Sequence, residues 1–254
     1  MTDIVDTLWR VHNAPAADHT AALAEIVERD ITLEQGQGYQ LELLQCWIEQ
    51  GEHIGGWKIG MTSGANRNAM GDGVRPFGFV LGSRIKRAQD TLSVAALHRG
   101  QIENELCFLL ADDLGADATP TSARAAVASV LPAFEINQKR LPGAASPGLR
   151  VADDLSNWGI AIGAPVSPPE NLEELRVALY DEHTVIEEVA SAGHIDDHYA
   201  SLAILARRLS EYGQRLQAGQ YVITGAYGKT PFDPGTYTGE FTLGIGTVTL
   251  TLQP

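Results

Sequence analysis

Cysteine is nearly missing from the chain: Cys46 and Cys107 are the only two in 254 residues, and no CxxC or other close pair occurs. That excludes a disulfide framework and a cysteine-rich zinc site, and it points to two packed thiols in a reducing compartment. Basic residues are scarce as well, 18 Lys and Arg against 32 Asp and Glu, for a net charge of −14. Such a balance argues against nucleic acid or an anionic membrane as partner, but a local cation can still hold a small anion. No apolar run approaches the roughly 20 residues needed to cross a bilayer. The opening "MTDIVDTLWRVHNAPAADHT" has no basic segment followed by an apolar one, so no secretory signal is expected and the expected location is the cytoplasm. No HxH, HExxH or G-x-S-x-G occurs, and "GAYGKT" lacks the full phosphate-loop spacing and reads as a hairpin turn.

The chain is long enough to bury a substantial core, and its composition, 44% hydrophobic and 20% charged, is that of a globular protein. Up to about Gln50 apolar residues recur at three and four, in "DIVDTLWRV", "HTAALAEIVERDI" and "TLEQGQGYQLELLQCWIEQGE", which predicts three helices, the second capped by Asp18 or Thr20. "SGANRNAMG" predicts one or two further helical turns. Strands then dominate: "IGGWKIGMTS", "PFGFVLGS", "QIENELCFLLA", "LPAFEIN", a hairpin about Asp181–Thr184, and three glycine-punctuated strands at the end. "TPTSARAAVASV" and "DDHYASLAILARRLSEYGQRL" read as helices between them. The expected class is α+β, a small helical N-terminal lobe (1–85) on a β-rich lobe (86–254).

Within "GQIENELCFLL", Glu103 and Glu105 stand two apart and share one face of a strand about to be buried. Like charges so placed need water, basic partners, a shared proton or a metal ion. Glu135 in "LPAFEIN" is a third acid inside an apolar strand, one helix further on. Three carboxylates on neighbouring strands suit a hard divalent cation such as Mg²⁺ or Mn²⁺. On spacing alone the simpler explanation is an edge strand with one wet face, which accounts for most such pairs.

"WKIGMTS" (57–63), "PFGFVLGS", "IENELCFLLADDL", "VLPAFEIN", "VADDLSNWGIAIG" and "GQYVITGA…PG" follow in an order that resembles the fumarylacetoacetate hydrolase superfamily. The branch it is most similar to is that of the 2-keto-4-pentenoate hydratases and 4-oxalocrotonate decarboxylases, over about residues 40–252. The resemblance implies the β-rich mixed sandwich or roll of that superfamily, Mg²⁺ (or Mn²⁺) on Glu103, Glu105 and Glu135, and a 2-oxo or 2-hydroxydienoic acid as substrate. It also implies hydration of a 2-hydroxy-2,4-dienoate to a 4-hydroxy-2-oxo acid in aromatic-compound catabolism. The alternatives are decarboxylation of a 2-oxo-enedioate, acylpyruvate-type C–C hydrolysis, and non-catalytic binding of a 2-oxo acid or support of a partner enzyme. Lys58 and Asp153 take catalytic positions by this resemblance, Asp153 orienting a water or binding Lys58. Thr62, Ser63, Arg140 and Thr224 take substrate positions. Thr62 and Ser63 are equally readable as helix caps, Thr224 as an ordinary turn residue and Lys58 as a surface lysine. His98 is a further candidate for the site, and Arg150 an alternative to Arg140 for a distal carboxylate. Trp47, Trp57 and Trp158 are expected in the core or at subunit contacts. A homo-oligomer is expected, with room for a partner lyase. Three departures stand out: "EINQKRLPG" where the family has a DSR or GSR stretch, Pro76 before "FG", and Asp154 in place of an amide. The first two shape the far end of the pocket and suggest a longer or bulkier substrate.

Overall fold

The computed structural model describes residues 3–14, 17–87, 90–97 and 99–254; His98 lies outside the described residues. The chain opens with helices α1 (Asp3–Asn13), α2 (Thr20–Val27) and α3 (Leu33–Glu49), followed by strands β1 (Ile54–Ile59), β2 (Phe77–Leu81), β3 (Ile85–Arg87), β4 (Thr91–Ser93) and β5 (Gly100–Leu110). Then come α4 (Pro120–Ala126), β6 (Val127–Gln138), α5 (Pro147–Ala152), β7 (Asn157–Ile162), β8 (Arg176–Asp181) and β9 (Thr184–Ala190). Helix α6 (His198–Glu211) and strands β10 (Tyr221–Pro231), β11 (Gly235–Phe241) and β12 (Gly246–Gln253) complete the chain.

Local chemistry marks the boundaries. Thr32 and Gln35 form a reciprocal capping box at α3, Thr119 and Ser122 form one at α4, and the Asp197 carboxylate accepts the Ala200 N–H at α6. Asp18 accepts the Thr20 N–H just ahead of α2. The helical turns expected in "SGANRNAMG" reduce to one 3₁₀ turn, Gly64–Asn66, because Gly64 and Asn68 adopt left-handed backbone angles that a helix cannot continue through.

A seven-stranded sheet in the order β2-β1-β10-β5-β6-β7-β3 and a five-stranded sheet in the order β4-β12-β11-β8-β9 form the body of an α+β fold. Strands β1 and β2 hydrogen-bond into the larger sheet beside β10 and β5, so that sheet runs across residue 85. One of its faces packs on α6 and the smaller sheet: Phe108 meets His198 and Tyr199, and the Asn104 amide donates to the carbonyl of Ala178. A Cβ on Gly239 would lie 2.4 Å from Asn104 Oδ1, which explains a glycine in the middle of β11. Register puts Cys107, Leu131, Ala133, Ile160 and Ile223 together on the opposite, inner face, where they form a small separate core. The same face continues at one end into the three glutamates. Cys46 and Cys107 are both buried and form no disulfide, and Trp47 and Trp57 are core residues.

Candidate active site

Pairing of β5 with β6 sets Glu103 directly opposite Glu135, and Glu105 follows two residues along the same face. One carboxylate oxygen from each of Glu103, Glu105 and Glu135 falls within 4.8 Å of the others. Glu105 and Glu135 are buried, so the wet-edge reading fails; β5 is a central strand. Each acid has a directed partner. Gly225 N–H donates to Glu105 Oε2 (2.6 Å), Gln101 Nε2 to Glu103 Oε1 (2.5 Å), and Asn157 Nδ2 to Glu135 Oε1 (2.9 Å). Lys58, from β1, donates its ammonium to Glu135 Oε1.

Burial, and then the charge of Glu135, push the carboxyls of Glu103 and Glu105 above their ordinary range. Burial alone would lower the Lys58 ammonium, but Glu135, Glu105 and Glu103 together raise it. Lys58 therefore stays charged, the cation bonded into the three carboxylates, while Lys229 adds a weaker pull on Glu103. A hard divalent cation fits such a set: it takes oxygen ligands and offsets the surplus negative charge.

The cluster lines a cavity of about 720 Å³, whose wall also includes Thr62, Ser63, Met70, Leu155 and Tyr227. Thr62 Oγ1 donates to the carbonyl of Thr224 (2.8 Å), and Ser63 makes no capping bond, so neither residue serves as a helix cap. Arg99, Lys139, Arg150 and Lys229 line the cavity too, and none of them forms an ion pair with a carboxylate among the described residues.

Three expected residues do not join this wall. Asp153 is fully buried between Arg140, whose Nε donates to its Oδ1 (2.8 Å), and His12, whose Nε2 lies 2.9 Å from the same atom. It neither touches Lys58 nor reaches the cavity. Arg140 is spent on Asp153 and on the carbonyls of Asp153 and Asn157, and so is unavailable to a substrate. Thr224 sits behind the wall with its hydroxyl on His198; its neighbour Gly225 reaches the cavity. Asp154 accepts the Phe79 N–H (2.8 Å) in a buried site, where burial pushes its carboxyl well above the ordinary range. Arg150, the sequence alternative to Arg140, does line the cavity, whereas Asn157, Tyr227, Arg99 and Lys229 were not singled out from sequence. Asn157 alone had a signal there, as a polar residue starting an otherwise apolar strand.

No protein-family model matches the chain. Among curated proteins it is 28% identical over 203 residues, 77% of each chain, to a 4-oxalocrotonate decarboxylase of a Pseudomonas species. It is also 28% identical over 209 residues, 78% of each chain, to the 2-oxo-hept-4-ene-1,7-dioate hydratase of Escherichia coli. A solved structure of 4-oxalocrotonate decarboxylase from Pseudomonas putida G7, complexed with magnesium and adipate, superposes with a TM-score of 0.87 at 24% identity, over 98% of this chain and 97% of that one. The fold is thus of the fumarylacetoacetate hydrolase type. In sequence the chain is similar, at 27–28% identity over about three quarters of its length, to hydratases and decarboxylases of the 2-keto-4-pentenoate hydratase and 4-oxalocrotonate decarboxylase branch.

Proposed function

We propose that this chain is a divalent-metal-dependent lyase that hydrates a 2-hydroxy-2,4-dienoate to a 4-hydroxy-2-oxo acid. The observation that carries this reading is the set of buried Glu105 and Glu135 and half-buried Glu103, with the Lys58 ammonium bonded to Glu135, in a cavity of about 720 Å³. Those three carboxylates would hold Mg²⁺ or Mn²⁺. Bound there, such a cation would supply Lewis-acid polarisation of a 2-oxo group. Lys58 is fixed in the protonated form by Glu135 and lies where it can bind the substrate carboxylate or relay a proton. Ser63 offers a hydroxyl on the cavity wall, and the hydroxyl of Thr62, which donates to Thr224, can still accept. Ile59, Met61, Met70, Leu141 and Leu155 line the same cavity and give a conjugated carbon chain an apolar bed.

A second reading, decarboxylation of a 2-oxo-enedioate, is favoured by the rim cations. Arg150 donates only to the carbonyls of Ala145 and Gly143, so its charge remains free for a second carboxylate. Acylpyruvate hydrolysis and non-catalytic binding have no comparable support. A homo-oligomeric cytoplasmic enzyme is the proposed setting; no helix among the described residues is long and apolar enough to cross a membrane.

Ultraviolet loss of a 2-hydroxydienoate, run beside CO₂ release from a 2-oxo-enedioate with Mg²⁺, Mn²⁺ and EDTA, tests both readings. Turnover is expected with either metal and less than one hundredth of it in EDTA. Full turnover in EDTA would overturn the metal-dependent reading.

A further inference from the structure

Strand β10 departs from regular pairing on both sides of Ala226, where its register against β5 shifts twice. Gly225, just before, has φ +132°, and a Cβ there would lie 2.2 Å from Thr62 Oγ1. The bulge turns the Gly225 N–H onto Glu105 Oε2. Thr62 holds it through the carbonyl of Thr224. A second hold comes from α6. His198 places Nδ1 2.7 Å from Thr224 Oγ1 and Nε2 2.8 Å from the Tyr227 hydroxyl, which lies 3.2 Å from Ser191 Oγ. The imidazole therefore spans the bulge, tying the residue before Gly225 to the residue two after it.

All four side chains are buried, His198 at 3% exposure and Thr224 at 0%. Burial lowers the His198 ring to about 4, so it is neutral at physiological pH, with one donor and one acceptor. The Thr224 hydrogen has no acceptor other than His198 among the described residues. Thr224 must then donate to Nδ1, Nε2–H to Tyr227, and Tyr227 to Ser191. The reverse order would strand the Thr224 hydrogen in a fully buried place.

We propose that His198 is a positioning residue, a neutral imidazole protonated at Nε2 that bridges Thr224 and Tyr227. It holds the β10 bulge so that Gly225 stays on Glu105, and in doing so sets how tightly the three carboxylates take a divalent cation. The inference rests on the metal reading above. His198 touches neither substrate nor the carboxylates; it acts through Gly225.

Mn²⁺ titration of the full chain by calorimetry tests it. His198→Phe keeps an aromatic ring against Phe108 and loses both bonds; it is expected to weaken Mn²⁺ about tenfold, the lower end of what removing a ligand's supporting partner costs. His198→Asn, with an amide at the Nδ1 position, should recover more of that loss than His198→Gln, which serves only the Tyr227 side. Thr224→Val should match His198→Phe, and the double variant should be no weaker than either alone. The His198 ¹⁵N shifts should show Nε2 protonated and Nδ1 bare at neutral pH. Wild-type Mn²⁺ affinity in folded His198→Phe would overturn the proposal; if that variant does not fold, wild-type affinity in Thr224→Val does the same. Glu105→Gln separates the two levels. Wild-type Mn²⁺ binding there sinks the metal reading itself, whereas loss there beside an unaffected His198→Phe sinks only the role of His198.

Discussion

Two clusters of buried charge come closest along the chain at Glu135 and Arg140, and they serve opposite ends. One joins Glu103, Glu105, Glu135 and Lys58 at the base of an open cavity. The other joins Asp153, Arg140 and His12 where α1 meets the end of α5. The second is balanced and closed: one carboxylate, one guanidinium and a neutral imidazole, none of them on the cavity wall. The first carries three acids against one ammonium bonded among them, with Lys229 adding a weaker pull on Glu103, and opens on a space large enough for a small molecule. Buried charge alone therefore does not mark a reactive site. Imbalance of charge beside a void does, because only an incoming cation or ligand can complete it.

Reciprocal substitutions sharpen that contrast most. Glu105→Gln keeps an acceptor for the Gly225 N–H and removes one of three mutually repelling charges. Turnover is expected to fall by at least a hundredfold with the melting temperature unchanged or higher, as activity assays and thermal unfolding would show. Asp153→Ala leaves Arg140 buried without its carboxylate, at a cost of about 3–5 kcal/mol. A fall in melting temperature of about 10 °C is expected, with the Mn²⁺ affinity of the folded fraction unchanged. If Asp153→Ala lost metal and kept its stability, the two clusters would have exchanged roles.

The same contrast explains what could be read from sequence. Alternation in "QIENELCFLL" placed Glu103 and Glu105 on one face of a buried strand, and Glu135 needed only antiparallel pairing through one short helix to meet them. Strand periodicity carries that kind of information. Asp153 and Arg140 stand where periodicity stops. Asp154, Leu155 and Ser156 adopt φ values of 55°, 52° and 67°, three successive non-glycine residues in the left-handed region. That turn faces Asp153 toward His12 and lets Asn157, four residues on, donate to Glu135. Nothing in "VADDLSNW" encodes which of its polar groups looks inward, since the turn exists only because α5 and β7 hold it at both ends. The partner of Asp153 on the other side, His12, is 141 residues away.

Acid should find the balanced cluster before it unfolds the sheet. Burial, then the charge of Arg140, lower His12 to about 4, below its ordinary 6.5, despite its bond to Asp153. The unfolded chain therefore binds more protons between pH 6.5 and 4, and stability must fall as pH drops through that window. The full span is worth about 3 kcal/mol. His198 works in the same sense, so the share of His12 is read as the difference between wild type and His12→Gln in denaturant melts at pH 7 and pH 4.5. The variant should be less stable at pH 7 and lose less on acidification; an equal loss in both would remove His12 from the account.

The smallest expected effect concerns the far end of the open cluster. Arg150 is held in place by two backbone carbonyls and by no carboxylate, and it shares the cavity wall with Lys139 and Arg99. Three such cations on the cavity wall of a chain with net charge −14 make a local positive field that a second carboxylate would feel and a neutral tail would not. An exposed charge contact of this kind is worth about 1 kcal/mol. Arg150→Gln should therefore raise KM for a 2-oxo-enedioate roughly fivefold while leaving KM for a five-carbon 2-hydroxydienoate within twofold, and kcat should change for neither. Added salt should erase the difference, since the field is screened within about 10 Å at 0.1 M ionic strength. An equal rise for both substrates would mean that Arg150 shapes the loop at 139–146 rather than reading the tail of the substrate, and the imbalance at the mouth would then belong to the fold and not to recognition.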